Sequence, residues 1–167
     1  NLSGTQFRHE FLAETVESTI KEFGVDPRHI TLEITESIFV EDQEFTIAVL
    51  KRLKSIGVAI AIDDFGTGYS SLSYLKRFPV DYVKIDQSFV QDVATDPDAT
   101  SLVTAIINMA HSLNLKTIAE GVEDEELVAF LRDQHCEEAQ GFYFSHPMPA
   151  VEFADYRGYA AGDDLRR

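Results

Sequence analysis

This sequence predicts an α/β fold built on a parallel sheet, and three observations support that class. Apolar strand-like runs alternate with amphipathic helix-like segments along nearly the whole chain. One run, residues 58–62, is continuously apolar, as in strands that are buried on both faces. Ionisable side chains follow four of the predicted strands, and the carboxyl ends of parallel strands meet at one face. We therefore expect the functional residues at that face.

The first half of the chain predicts two helices and two strands in alternation. Residues 7–23 are predicted to form a helix that stops at Gly24. Its apolar stripe consists of Phe11, Val16, Ile20 and Phe23. A strand over residues 30–35 follows, and then a helix that is marked by apolar residues from Phe45 to Leu53 and ends near Gly57. The strand over residues 58–62 then closes the second such unit.

The second half repeats the alternation, with a glycine-containing loop between its first helix and the strand before it. The predicted helices cover residues 70–78, 100–113 and 125–133, and the predicted strands cover residues 82–85, 117–119 and 139–144.

Two parallel architectures fit this alternation, and the position of the polar residues favours a barrel. A doubly wound sheet binds its ligand at one switch point, whereas here nearly every strand has an ionisable terminus. An eightfold barrel needs about 200 to 250 residues. We count five strands and a possible strand stub at Asn1, so we expect a modified TIM-type (β/α)8 barrel that lacks roughly the first two βα units. Residues 1–160 would form the C-terminal two-thirds of this barrel, and residues 161–167 a polar tail.

Charge and composition restrict the partners and the compartment. The formal net charge of -15 argues against general binding to DNA, which relies on clustered Lys and Arg. An anionic substrate would need help from metal ions. A single cysteine, Cys136, cannot form an internal disulfide, and no apolar run reaches the length of a membrane span. We expect a cytoplasmic domain, although the full-length protein could be anchored through segments outside this chain.

Adjacent carboxylates, Asp63 and Asp64, lie where the buried strand meets its loop. Either residue could simply cap the following turn. Three further strand-end acids, Glu33, Glu120 and Glu123, favour a functional role instead. Several hard oxygen ligands in one place suit Mg²⁺ or Mn²⁺, and two such ions can activate a water and hold a phosphate.

Lys84 lies in an otherwise apolar strand, and its role is open. It could form a structural ion pair, orient an attacking water, neutralise a phosphate, or form a Schiff base if it is desolvated. Gln140, in the last predicted strand and directly before Gly141, could be a hydrogen-bond donor in the site or a turn residue. The glycine-containing loop after Asp64, which contains Phe65, Gly66, Thr67 and Gly68, could be a plain connection or a mobile element beside the site.

Six motifs in order resemble the EAL family of cyclic di-GMP phosphodiesterases. They are Asn1-Leu2-Ser3, LEITES around Glu33, DDFGTGYSSL from Asp63, VKID around Lys84, AEGVE from Glu120 and QGF from Gln140. The resemblance implies a modified (β/α)8 barrel that hydrolyses cyclic di-GMP to linear pGpG with Mg²⁺ or Mn²⁺. It also implies a homodimer, and fusion to sensory or diguanylate cyclase domains in the full protein.

The resemblance assigns expected roles residue by residue. The expected metal ligands are Asn1, Glu33, Asp63, Asp64 and Glu120. Lys84 would help to position the catalytic water, and Glu123 and Gln140 would lie close to that water or to the substrate. Glu36 resembles the glutamate that steadies the glycine loop, through which the family couples dimerisation to the metal site.

One departure from the family pattern is that the Glu-Ala-Leu segment, whose glutamate is a metal ligand, does not occur in these 167 residues. Because the motifs that are present look intact, we expect a truncation or an upstream chain rather than decay. Two alternatives stay open at this point. One is a catalytically inactive cyclic di-GMP receptor of the same fold, and the other, more distant, is a Schiff-base barrel lyase using Lys84.

Overall fold

The fold is described by a computed structural model that covers residues 1–39, 42–68 and 75–155 of the chain. Its residues cluster into two compact units, Asn1–Lys84 and Ile85–Arg167. The polar tail expected over residues 161–167 lies outside the described residues, as does most of the helix predicted over residues 70–78. The expectation of one barrel domain over residues 1–160 stays a prediction.

The first unit alternates helices with parallel strands. Its helices are α1 (Gly4–Phe7), α2 (Leu12–Phe23) and α3 (Gln43–Ile56), with 3₁₀ turns at Pro27–His29 and Glu36–Phe39. Its strands are β1 (Thr31–Thr35) and β2 (Ala59–Phe65), and β3 (Tyr82–Ile85) ends at the boundary with the second unit. Strand β2 lies between β1 and β3.

The register of β1 and β2 brings their carboxyl ends together. The two strands are parallel, with Glu33 opposite Ala61 and Thr35 opposite Asp63. On the other side of β1, Leu2 forms a single parallel bridge to Ile34, in which the Leu2 N–H donates a hydrogen bond to the Glu33 carbonyl. The backbone pairing alone therefore brings the chain start, the end of β1 and the end of β2 close together.

The predicted helix over residues 7–23 is wrong as one element, because the structure has two helices there. Helix α1 ends at its C-cap, Arg8, and α2 begins after Phe11, which occupies its N-cap position. Phe11 and Phe23 are consequently 57% and 72% exposed rather than part of a buried stripe, whereas Ile20 is buried. Gly24 ends α2 as predicted, in the left-handed conformation that glycine adopts without strain.

The second unit also alternates strands and helices. Its helices are α4 (Gln87–Val90), α5 (Pro97–Ser112), α6 (Glu125–Asp133) and α7 (Ala150–Asp155), and its remaining strands are β4 (Lys116–Ala119) and β5 (Glu138–Ala139). Strand β4 pairs in parallel with β5, and the Glu120 amide bonds to the Ile85 carbonyl on its other side. The α/β class with parallel strands is confirmed.

The last strand is shorter than predicted, and two short helices were not predicted. Residues 140–144 leave the strand because Tyr143 N bonds to the Val122 carbonyl and Ser145 N to the Gly141 carbonyl, which turns the chain. Helices α4 and α7 have four and six residues, too few for an apolar period to show. Helix α5 begins earlier than predicted because Asp96 caps it ahead of Pro97.

A polar group is buried at the start of β4 and is fully satisfied. Thr117 is 0% exposed, and both its amide and its hydroxyl donate to Glu137 Oε2, at 2.8 Å each. The His111 ring lies 3.1 Å from Glu137 Oε1. Burial alone would raise the pKa of Glu137, but the bonds from Thr117 and the attraction of His111 outweigh it, so this pKa lies below its usual value.

Candidate functional site

Three neighbouring strands of the first unit contribute one ion cluster. The Lys84 ammonium, with 4% of its side chain exposed, lies 2.7 Å from Asp63 Oδ1 and 3.0 Å from Glu33 Oε2. The two carboxylates remain 17% and 24% exposed. A buried ammonium is tolerated only with such partners, and here it holds both carboxylates at fixed positions. The structure thus joins three of the residues that the sequence singled out.

This pairing also bears on the open role of Lys84. The Lys84 nitrogen already lies within 3.0 Å of two carboxylate oxygens, which engage it in ion pairs. A Schiff base forms only from the neutral amine, which needs a desolvated pocket or a neighbouring cation. The ion cluster therefore speaks against the lyase alternative.

Asp63 and Asp64 differ in setting although they are adjacent. A carboxylate oxygen of each lies within 4.8 Å of the other, and Asp64 is exposed while Asp63 is half-buried. Asp64 has a φ of 52°, a left-handed conformation that is uncommon for a residue with a side chain but several-fold enriched in Asp. Its carbonyl accepts bonds from Thr67 N and Thr67 Oγ1, which closes the turn after β2. The pair supplies the hard oxygen donors that suit Mg²⁺ or Mn²⁺.

Asn1 is exposed at the edge of β1. Because Leu2 is opposite Ile34 in a parallel bridge, Asn1 follows the register to a position opposite Glu33. An amide oxygen from Asn and a carboxylate oxygen from Glu are both ligands for hard cations. The bridge therefore brings two of the expected ligands to adjacent backbone positions.

The glycine loop is tied to the segment after β1. Glu36 Oε1 accepts a bond from the Gly66 amide at 3.0 Å, and Glu36 Oε2 is buried with no partner among the described residues. A methyl group on Gly68 would lie 2.6 Å from that Oε2, so a larger residue there would displace the Glu36 carboxylate. Phe65 is buried and Thr67 is exposed. The hydrogen bond from Gly66 thus joins the loop to Glu36, and the role that the resemblance gives to Glu36 stays a prediction.

In the second unit, the two segments after β4 and β5 meet. Gln140 Nε2 donates to Glu120 Oε1 at 2.6 Å. Gln140 N bonds to the Ala119 carbonyl at 2.8 Å, and Val122 N bonds to the Gln140 carbonyl at 3.1 Å. The amide of Gln140 is thus a donor to one of the expected metal ligands.

Glu123 has a partner that sequence reasoning missed. Gln91, at the end of α4, donates through Nε2 to Glu123 Oε1 at 3.2 Å. A glutamine spacing in the sequence could have indicated it. Gln87 directly follows the VKID motif, and Gln91 comes one helical turn later. Gln87 itself packs against Gly121, where a methyl group would lie 2.6 Å from its Cβ.

The fold and the strand-end acids define a class, a parallel α/β domain whose carboxylates lie at the ends of its strands. The sequence model of the EAL domain family matches residues 1–147, and the chain belongs to that family. This confirms the resemblance and the TIM-type fold class expected from the sequence.

Known relatives are similar to this chain in both sequence and structure. The chain is 45% identical over 152 residues to the bifunctional diguanylate cyclase/cyclic di-GMP phosphodiesterase MucR of Pseudomonas aeruginosa, covering 91% of this chain and 22% of that protein. A solved structure of the PaMucR phosphodiesterase in complex with c-di-GMP is 44% identical, with a TM-score of 0.87, covering 92% of this chain and 62% of that one. The manganese/cy-diGMP complex of BlrP1 from Klebsiella pneumoniae is 32% identical, with a TM-score of 0.77, covering 85% and 36%.

The chain spans about a fifth of the length of the curated relatives it matches. MucR is named for two activities, so at least this relative combines a phosphodiesterase with a cyclase in one protein. Within the described residues, no helix is both long and apolar enough to cross a bilayer.

Proposed function

We propose that this chain is part of a metal-dependent phosphodiesterase that hydrolyses cyclic di-GMP to linear pGpG. The observation that carries the proposal is the ion cluster of Lys84, Asp63 and Glu33, formed by residues from three of the EAL motifs. Family membership and the names of the relatives support the substrate.

The metal would be Mg²⁺ or Mn²⁺, as two ions. Its ligands would be Asn1, Glu33, Asp63, Asp64 and Glu120. When bound, such ions lower the pKa of a water and neutralise the charge that develops on a phosphodiester. A related BlrP1 structure with manganese and another with calcium, both with cy-diGMP, support divalent binding in this family.

The chain's own residues would orient the reactants. Lys84, held by Asp63 and Glu33, would fix both carboxylates and help to orient the attacking water. Gln140 would hold Glu120 Oε1, and Glu123, held by Gln91, would lie close to the water or the substrate. Such positioning by preset groups is the protein's main contribution to phosphoryl chemistry.

We further propose a cytoplasmic homodimer in which Glu36 and the loop containing Phe65, Gly66, Thr67 and Gly68 couple the subunit contact to the metal site. The bond from the Gly66 amide to Glu36 supports the loop half of this proposal. We also propose that the full protein carries sensory or cyclase domains. The name of MucR, a bifunctional diguanylate cyclase/cyclic di-GMP phosphodiesterase, supports this.

The test uses the whole gene product, so that its outcome does not depend on where residues 1–167 lie within it. It is incubated with cyclic di-GMP and Mn²⁺ or Mg²⁺, and pGpG is followed by chromatography. We expect product that EDTA abolishes, and at least a 100-fold loss in Asp63→Asn. The matched control Asp92→Asn, an exposed surface acid, should keep wild-type activity.

Two results would count against the proposal. Product that persists in EDTA, or in a folded Asp63→Asn protein, would remove the metal-dependent mechanism. A folded wild-type protein that binds cyclic di-GMP but makes no pGpG would favour the receptor alternative.

A further inference from the structure

Gly141 lies in direct contact with the backbone of Val122. A methyl group on Gly141 would lie 2.7 Å from the Val122 carbonyl carbon, and closer still to its nitrogen and oxygen. Real Cβ atoms essentially never lie within 3.0 Å of a heavy atom outside their own residue and its two chain neighbours. Because the obstructing atoms are backbone, no side-chain rotation could make room. Only glycine fits at this position without moving one of the two segments.

The contact sits between two hydrogen bonds that join the same segments. Val122 N donates to the Gln140 carbonyl at 3.1 Å, and Tyr143 N donates to the Val122 carbonyl at 3.0 Å. Val122 is buried, so both of its backbone groups need these partners. The missing side chain of Gly141 is what lets both bonds form at once.

The backbone of Gln140 is therefore fixed on both of its polar groups. Its N–H donates to the Ala119 carbonyl at 2.8 Å, and its carbonyl accepts from Val122. From this fixed backbone the exposed side chain reaches Glu120 Oε1 at 2.6 Å. An exposed glutamine has many rotamers, so the bond depends on where its backbone lies.

We propose that Gly141 is a positioning residue that acts through Gln140 on Glu120. This rests on the proposed function, in which Glu120 is a metal ligand. The amide donor occupies Oε1 and fixes the orientation of the carboxylate, as hydrogen-bond partners of metal ligands generally do. Loss of such a partner typically lowers metal affinity about 10- to 100-fold.

The experiment is a double-mutant cycle on the whole gene product, with Mn²⁺ affinity measured by electron paramagnetic resonance. We expect Gln140→Ala and Gly141→Ala each to weaken Mn²⁺ binding about tenfold or more. The double variant should bind no more weakly than the worse single variant, because both remove the same bond. The control is Gly4→Ala, whose methyl group would lie 3.9 Å from its nearest neighbour, an ordinary contact.

A metal-free readout separates positioning from general damage. Hydrogen exchange at the amides of Val122 and Tyr143 should speed up in Gly141→Ala but not in Gln140→Ala. The backbone contact of Gly141 with Val122 positions the glutamine and does not depend on the glutamine side chain. If Gly141→Ala does not fold, Tyr143→Pro takes its place in the cycle, since it removes the second Val122 bond and leaves Gly141 intact.

Several outcomes would overturn the proposal. These are wild-type Mn²⁺ affinity in Gln140→Ala, losses that simply add in the double variant, or unchanged exchange in Gly141→Ala. Wild-type protein that binds no Mn²⁺ would overturn it together with the proposed function. Protein that binds Mn²⁺ and shows the non-additive losses, yet makes no pGpG, would keep the positioning role and reject the hydrolysis.

Discussion

Replacing Lys84 by Met should destabilise the centre of the first unit in the absence of metal. The change removes an ammonium that is 4% exposed and leaves two carboxylates, at 2.7 Å and 3.0 Å from it, without that partner. Breaking a buried ion pair costs about 3 to 5 kcal/mol. Because Asp63 and Glu33 keep 17% and 24% of their exposure, water can partly solvate them. We therefore expect the lower end, about 3 kcal/mol.

Hydrogen exchange with mass spectrometry measures this cost locally, in EDTA, on peptides that cover β2. Slow exchange converts to an opening free energy, which should fall in Lys84→Met. Adding Asp63→Asn to Lys84→Met should recover about 1 kcal/mol, because it removes one unpaired carboxylate. The control Lys51→Met, at an exposed position on α3, should change the opening free energy by less than about 0.5 kcal/mol.

The reasoning would be refuted by β2 peptides that exchange at wild-type rates in Lys84→Met. It would also be refuted if Asp63→Asn made Lys84→Met worse, because the carboxylate would then have been stabilising without its ammonium. The first result would mean that Lys84 has no part in holding the three strand ends, and the second that Asp63 does not depend on Lys84 for its contribution to stability.

Two further predictions concern other parts of the chain. The pKa of Glu137 is lowered in the fold, so its contribution to stability is present above its unfolded pKa and lost as pH falls below about 4.5. Glu137→Gln should flatten the acid limb of a plot of stability against pH below about pH 4.5, and an unchanged limb would contradict this. Gly68→Ala should push Glu36 Oε2 aside and break its bond to the loop. The Gly66 amide should then exchange at least about tenfold faster, whereas continued protection would mean that Glu36 adapts without losing that bond.

The sequence predicted those elements whose ends carry their own signals. Strand β3 and helix α6 have the predicted bounds, because Asp86 caps the helix after β3 and Asp124 caps α6. The split between α1 and α2 was not predictable from apolar spacing, since Phe11 fits the stripe of a longer helix and is nevertheless exposed. Apolar periodicity predicts which residues could share one helix face, but it does not predict which of them stay exposed to solvent after packing.

The same division holds for the candidate site. The cluster of Glu33, Asp63 and Lys84 follows from parallel strands whose ends point one way, so the sequence could indicate it. The contact of Gly141 with Val122 could not be read from the chain, because it depends on a turn that replaces the predicted end of β5. The partnership of Gln91 with Glu123 was missed for a similar reason, as it rests on the unpredicted helix α4.

The left-handed backbone of Asp64 bears on how natural and laboratory variants should be sorted. Asn and Gly adopt this conformation readily, whereas a β-branched residue there is strained by about 1 to 3 kcal/mol. In a genetic screen, Asp64→Asn and Asp64→Gly should appear as alleles with normal protein levels, while Asp64→Val should also reduce abundance in the cell. Only alleles of the first kind report on the chemistry of the carboxylate, so phenotypes at this codon need an abundance measurement beside them.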